Sequence, residues 1–292
     1  MVDIVRQLNG RFGLDFSKYR PSTISRRVGR RMMNHSLTDT KEYSALLERD
    51  PREQEALFHD LLISVTEFFR DPESFCFLND EVIPKLLEEK GSGPVRVWSA
   101  GCATGEEAYS LAILLKEAAG RVGFDGDISI FATDVRGCSL EKASKGTYDG
   151  DHLKNIAPER LERWFKQNGR SYRISDELRE AVVFAPQNLI ADLPLFKMDL
   201  VSCRNVLIYL KPEVQARVIS SLHLGMTERG YLFLGSSEGI GQHCKGLEMR
   251  NSRHKVFRKS APEGELDIDG RICPNKTFLA NDGMDALRHA TS

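Results

Sequence analysis

The chain has 292 residues, room for one large domain and a smaller one, and its 41% hydrophobic content is that of an ordinary globular protein. It holds no run of about 18 apolar residues and no signal-peptide pattern, so neither membrane spanning nor secretion is indicated. Formal net charge is −1; six cysteines lie far apart without a C-x-x-C pair, and the histidines, His243 beside Cys244 included, show no metal-ligand spacing, which points to reduced thiols in a cytoplasm and to no metal.

Residues 1–84 read as a helical domain with uneven charge. Met1 to His35 contain eight Lys/Arg and only two Asp. Pro21 and Ser22 mark a helix start, and a helix over Ser22–Met33 puts Ile24, Val28 and Met32 on one stripe and Arg26, Arg27 and Arg30 on the other side. That basic face fits an acidic partner. Nucleic acid is an alternative, weakened by the scarcity of aromatic residues, and a solvated arginine face is the plain one. Further helices are predicted over Asp39–Arg49, Pro51–Ile63 and Asp71–Leu87, interrupted by ISVTEFFRDP from Ile63 to Pro72. The GSGP turn at Gly91–Pro94 marks the passage into a different pattern.

From Val95 strands and helices alternate, which implies a mostly parallel sheet with helices on both faces. Strands are predicted at Val95–Ser99, Ile128–Thr133, Val182–Ala185, Leu200–Ser202 and Tyr231–Gly235; helices at Gly105–Ala118, Cys138–Ser144 and Pro212–Met226. Between residues 148 and 182 the pattern breaks into a helix over Pro158–Lys166 and an extended piece at Ser171–Ile174, read as a small insertion. Lys255–Arg258 is taken as the final edge strand. The second domain spans residues 85–260, and residues 261–292, polar and aperiodic, are expected to be a flexible tail.

Three stretches carry the chemistry. VRVWSAGCATGEEAYSLA, from Val95 to Ala112, reads as a strand, a loop opened by Gly101 and Gly105, and a helix with Ala108, Leu111, Ala112 and Leu115 at helical spacing. IFATDV ends a strand on Asp134, where a carboxylate at the carboxyl edge of a sheet accepts both hydroxyls of a ribose. DLVSCRNVLIY runs from Asp199 to Tyr209. With no G-x-G-x-x-G and no G-K-S/T, a pyrophosphate is disfavoured. Glu106 and Glu107 open the helix; beside a phosphate they would repel, beside a cation one of them helps binding, and for Glu106 plain complementation of the helix dipole is favoured. A ligand with a ribose, no phosphate and positive charge fits S-adenosylmethionine.

VTEFFRDP, SAGCATGEEAYS, ATDV, APQNL at Ala185–Leu189 and SCRNVLIY resemble, in order and over about nine tenths of the chain, the CheR family of chemotaxis-receptor glutamate methyltransferases. The resemblance implies an α/β fold: a class I S-adenosylmethionine-dependent methyltransferase (Rossmann-like) sheet with a helical amino-terminal domain and a small inserted β-subdomain. It implies methyl transfer from S-adenosylmethionine to glutamate side chains in the cytoplasmic helical bundle of chemoreceptors, leaving methyl esters and S-adenosylhomocysteine. Carried over motif by motif, cofactor contacts fall on Ser64, Thr66, Arg70, Gly101, Glu107, Asp134, Asn188, Leu189, Arg204 and Asn205, with Ser64 standing where many relatives have asparagine. Asp134 would hold the ribose, Asn188 and Leu189 border the adenine, and Glu107 lie near the methionine portion. Arg70 is the partner for a carboxylate, the cofactor's own or the incoming glutamate's. Phe69 and Tyr209 would line the transfer cleft, a core aromatic being the equal alternative for Phe69. Arg26, Arg27 and Arg30 would meet acidic receptor helices. The insertion resembles a β-subdomain that in some relatives docks a receptor peptide by strand addition, although here it is short.

The chemistry needs no catalytic dyad. A glutamate carboxylate is already ionised at neutral pH, so no general base and no His or Cys nucleophile is expected. A nucleic-acid methyltransferase would carry an aromatic N/D-P-P-Y/F motif where CRNVLIY stands, and a dehydrogenase would need the dinucleotide glycines. A non-catalytic cofactor-binding adaptor is the remaining alternative. The expected enzyme is cytoplasmic and monomeric, engages no nucleic acid and does not insert directly into a membrane.

Overall fold

The structure, a computed structural model, describes residues 1–62, 65–241 and 246–260; the expectations placed on Ser64, His243, Cys244 and the segment after Ser260 lie outside the described residues. Four helices come first, α1 (Val2–Phe12), α2 (Pro21–Asn34), α3 (Thr40–Arg49) and α4 (Pro51–Leu61). Asp39 and Asp50 cap α3 and α4 by accepting first-turn amides, and Pro21 and Pro51 occupy first-turn positions that need no N–H donor. Ile4, Leu8, Phe16, Ile24, Val28, Tyr43, Leu47 and Leu57 close one core between them. The sequence reading omitted α1, whose buried stripe is only Ile4 and Leu8.

A polar knot lies within this core. Glu53, 3% exposed, accepts from two guanidinium nitrogens of Arg31 and from the Tyr43 hydroxyl at 2.6 Å, and pairs with His35 Nε2 at 2.8 Å. Burial alone would raise its pKa, but these donors outweigh it and bring the carboxyl down to about 2.

The expected helix over Asp71–Leu87 is divided into α5 (Pro72–Phe77) and α6 (Ile83–Lys90) by a wide turn at Leu78–Val82. Pro84 has no N–H to return to Asp80, so the helical ladder has to open there.

The sheet region then runs β1 (Val95–Ala100), α7 (Glu106–Val122), β2 (Ile128–Asp134), α8 (Gly137–Lys145), the insertion β3 (Thr147–Asp149), α9 (Pro158–Trp164), β4 (Phe165–Asn168) and β5 (Ser171–Ile174), then α10 (Asp176–Glu180), β6 (Val182–Pro186), β7 (Met198–Cys203), α11 (Pro212–Gly225), β8 (Met226–Leu234), β9 (Leu247–Asn251) and β10 (Val256–Lys259). Strand order in the main sheet is β6-β2-β1-β7-β8-β10-β9, with β6 through β8 parallel and β10 antiparallel to both neighbours. β7 is buried throughout and β1 at all but Arg96, as strands covered on both faces must be. One face packs on α6 and α7 through Leu86, Leu111 and Leu115, the other on α11 through Val214, Val218 and Leu222.

Lys255–Arg258 corresponds to β10, but β9 lies outside it, so the expected edge strand is interior. β9 leaves no apolar alternation in the sequence, Leu247 being its one buried residue. The insertion forms its own antiparallel sheet, β3-β5-β4, and Phe165 leaves α9 to pair with Ile174. From β1 the chain steps to β2 and β6, then returns to β7 on the opposite side of β1. This reversal opens a crevice at the carboxyl ends of the strands, the place where such sheets take ligands. The helical region is fastened to its rim: Tyr19 and Leu210 form an antiparallel bridge, the Arg20 amide donates to Tyr209 O at 2.8 Å, and the Lys211 amide donates to Lys18 O at 3.0 Å.

Candidate cofactor and active site

β1 ends at Ala100, and the next residues turn back over the strand. The amides of Gly101 and Cys102 both donate to Thr133 O, at 2.7 and 2.9 Å. Gly101 has φ +76, and a Cβ there would collide with Val206; Gly105 has φ +96, and a Cβ there would come within 2.9 Å of Ala143 and 3.1 Å of the Tyr148 hydroxyl. Only glycine satisfies both the left-handed backbone and the close approach.

Asp134, at the end of β2, has a side chain 12% exposed. Its Oδ2 accepts the Ala103 amide at 2.9 Å and its Oδ1 the Arg136 amide at 2.9 Å. Each oxygen keeps an acceptor site unused by these amides, so the carboxylate is fixed in place and still has capacity for two hydroxyls. That is the acceptor chemistry that a ribose diol, donating two hydroxyls, requires.

The adjacent glutamates part company. Glu106 is fully buried, accepts from Thr104 Oγ1 at 2.7 and 2.9 Å, and faces His152 Nδ1 at 3.5 Å; burial raises its pKa against those partners. Glu107 lines the cavity, accepting from Ser202 Oγ at 2.7 Å and Arg204 at 3.3 Å.

Arg204 has its guanidinium packed over Phe75 at 5.2 Å and Phe233 at 4.6 Å, with the side chain 1% exposed. It donates to Arg70 O at 3.0 Å, Asp71 Oδ2 at 2.7 Å and Glu107 Oε2 at 3.3 Å. Arg204 thus ties the segment before α5 to the first turn of α7, with its donors directed mainly at the protein.

That segment is irregular, Phe69 and Asp71 having φ of 51 and 60. Arg70 is half-buried at the cavity, donating to Val65 O at 2.8 Å, and Thr66 lines the same wall. Of the two readings of Phe69, the structure has the core aromatic: its ring is 4% exposed, packs edge-on against Phe75 at 5.6 Å, belongs to the core and is not part of the cavity lining.

Asn188 and Leu189 lie beyond β6. Asn188 closes a turn by accepting the Ile190 amide at 3.0 Å, and both residues line the cavity. Asn205 and Tyr209, after β7, complete that wall. Arg26, Arg27 and Arg30 are outside the cavity on α2, with Arg26 and Arg30 exposed and Arg27 half-buried.

The structure adds residues the sequence did not offer. Leu14, Tyr19, Leu61 and Leu62 from the helical region and Arg136 after β2 line the cavity. Burial and the nearby Asp134 raise the Tyr19 pKa, so its hydroxyl stays protonated. Glu238 holds the turn after β7, accepting the amides of Asn205, Leu207, Ile208 and Gly235. Leu61, Leu62 and Arg136 flank motifs already read from the sequence, whereas Leu14, Tyr19 and Glu238 have no local sequence signal and are brought here by chain crossing. Cys102 also borders the cavity, but burial, with Asp134 and Glu107 nearby, pushes its thiol well up and away from thiolate chemistry. Among the described residues no group of three or more His, Cys, Asp or Glu is placed to hold a metal ion.

The chain matches two family models, "CheR methyltransferase, all-alpha domain" over residues 2–62 and "CheR methyltransferase, SAM binding domain" over residues 64–256. It is 41% identical over 250 residues to an uncharacterized 104.1 kDa protein of Rhodobacter capsulatus, an alignment covering 85% of this chain and 26% of that protein. It is 35% identical to a putative methyltransferase, Cher3, of Pseudomonas putida, covering 86% of this chain and 93% of the relative. With a chemotaxis protein methyltransferase of Escherichia coli the identity is 34%, over 82% and 84% of the two chains.

Proposed function

Because the chain belongs to the CheR methyltransferase family and is an S-adenosylmethionine-dependent methyltransferase, we propose that its methyl acceptors are glutamate side chains of chemoreceptor cytoplasmic helices. The product is a glutamyl methyl ester, formed in chemotactic adaptation on the cytoplasmic side of the membrane by a monomeric enzyme. No helix among the described residues is long and apolar enough to cross a membrane. The names of the Escherichia coli relative and of one from Vibrio cholerae, a chemotaxis protein methyltransferase 1, support the setting.

The observation that carries the acceptor class is Arg70 at the cavity, with Glu107 and Asp134 already engaged by Ser202, Arg204 and backbone amides. A guanidinium there receives an incoming carboxylate, and that nucleophile arrives ionised and needs no base. When bound, S-adenosylmethionine supplies an electrophilic methyl carbon on a sulfonium. Asp134 would hold its ribose, Asn188 and Leu189 the adenine end, and Glu107 the methionine end, with Thr66, Gly101, Arg204 and Asn205 completing the wall. Tyr209 borders the path of the acceptor. The protein's contribution is alignment and exclusion of water, an effect on the order of 7–11 kcal/mol when complete. Arg26, Arg27 and Arg30 then orient an acidic helix as it approaches.

Incubation with methyl-labelled S-adenosylmethionine and receptor cytoplasmic fragments, followed by base treatment, tests the reading. Volatile labelled methanol is expected. Label that stays on the protein as methylamine, or passes to nucleic acid, would sink it.

A further inference from the structure

The segment carrying Thr66 and Arg70 is gripped from the insertion. Arg160 of α9 lies with its guanidinium 4.8 Å from the centre of the Phe69 ring. The edge of that guanidinium is held by Glu117 of α7, through Nε at 3.1 Å and Nη2 at 2.8 Å, and Glu117 also accepts the Trp164 indole N–H at 3.1 Å. Asn155 donates to Glu67 at 3.1 Å, and Phe68 packs edge-on against Tyr148 at 5.0 Å and Phe165 at 5.5 Å. On the inner side the Phe69 amide donates to Ser110 Oγ at 3.0 Å. Phe69, in a left-handed conformation that a bulky residue adopts only under constraint, is therefore enclosed from both sides.

We propose that Arg160 is a positioning residue: from the inserted subdomain it locks the Phe69 ring, and by fixing that ring it sets where Thr66 and Arg70 stand at the cavity. The guanidinium is suited to this task because one planar group stacks on an aromatic face while its edge engages a carboxylate. The proposal rests on the reading of Thr66 and Arg70 as cavity contacts. It also gives Phe69 a function that does not require it to touch a substrate.

The test compares full-length wild type with Arg160→Ala, Arg160→Lys and Glu117→Gln. Three quantities are read: amide hydrogen exchange along residues 65–71, affinity for S-adenosylhomocysteine by calorimetry, and the melting temperature. Arg160→Ala is expected to speed exchange in that segment on the order of tenfold, with β1 and β7 unchanged, and to weaken binding several-fold. Arg160→Lys restores part of the protection, since it keeps the charge and loses the plane. Glu117→Gln reproduces the local signature without altering residue 160. Wild-type exchange at residues 65–71 in Arg160→Ala overturns the proposal, and so does acceleration spread evenly over β1 and β7, which would mark general destabilisation. Arg70→Ala, run alongside, tests the underlying reading: unaltered binding and turnover there would remove Arg70 from the site, whereas the clamp stands or falls on the exchange of its own segment.

Discussion

Replacing Glu238 should loosen the wall that carries Asn205 and Tyr209. The residue is 7% exposed, and its carboxylate accepts amides at 2.8 Å from Gly235, 2.9 Å from Asn205, 2.8 Å from Leu207 and 3.3 Å from Ile208. Glu238→Ala leaves all four donors without this partner. At about 1 kcal/mol net for each, and less for the longest, the loss is about 3–4 kcal/mol, a large share of the roughly 5–15 kcal/mol by which a typical domain is stable. Glu238→Gln keeps one acceptor oxygen and turns an NH2 group toward the other pair of amides, so about half of that loss is expected. Urea unfolding followed by circular dichroism measures both, and calorimetry with S-adenosylhomocysteine reads the cavity under conditions where each variant is folded. The expected order is wild type, then Gln, then Ala, in both midpoint and affinity. An unchanged midpoint together with unchanged affinity for the alanine variant would refute the reasoning.

Asp134→Ala should weaken S-adenosylhomocysteine binding by about tenfold or more, since charge-assisted hydrogen bonds to two hydroxyls are lost; calorimetry decides, and an unaltered affinity would remove the ribose role. Arg70→Ala should lower methyl transfer far more than it lowers the melting temperature, which turnover and thermal denaturation separate. Reversing Arg26, Arg27 and Arg30 to glutamate should slow methylation of receptor fragments at low salt and leave cofactor affinity untouched; equal rates at every salt concentration would count against α2 as the docking face. Glu53 gives a pH dependence: its folded pKa, about 2, lies below the ordinary value of 4.5, so its stabilisation is complete above 4.5 and disappears as pH falls from there toward 2. The amount is on the order of 3 kcal/mol, and Glu53→Gln should flatten the stability profile in that window.

The sheet was legible because buried parallel strands write themselves as short apolar runs, VRVW and IFAT among them, and because a carboxylate after such a run falls at the rim. Asp134 was placed on that ground. Glu107 was separable from Glu106 through the family resemblance, whereas helix-dipole reasoning treats the two alike. Phe69 could not be placed, since nothing in EFFR states that the second phenylalanine takes a positive φ and turns inward. Leu14 and Tyr19 reach the cavity from the helical region, distant in sequence from the rim motifs, a matter of chain crossing that periodicity does not record. Glu238 belongs to a turn whose four amide donors exist only once β7 and β8 lie side by side. The thinly apolar α1 and β9 went unread for the opposite reason, each burying too few side chains to leave a pattern.

The strand-like pairing of Tyr19 with Leu210 sets a rule for building hybrids of this enzyme with its relatives. Grafting a foreign helical segment with a join placed after α2 would transplant one half of a two-sided seam, leaving residues 207–211 to face a stranger. A hybrid meant to inherit a new acceptor preference should exchange both halves together, and one that exchanges only the first should show its defect in cofactor affinity before any defect in acceptor choice.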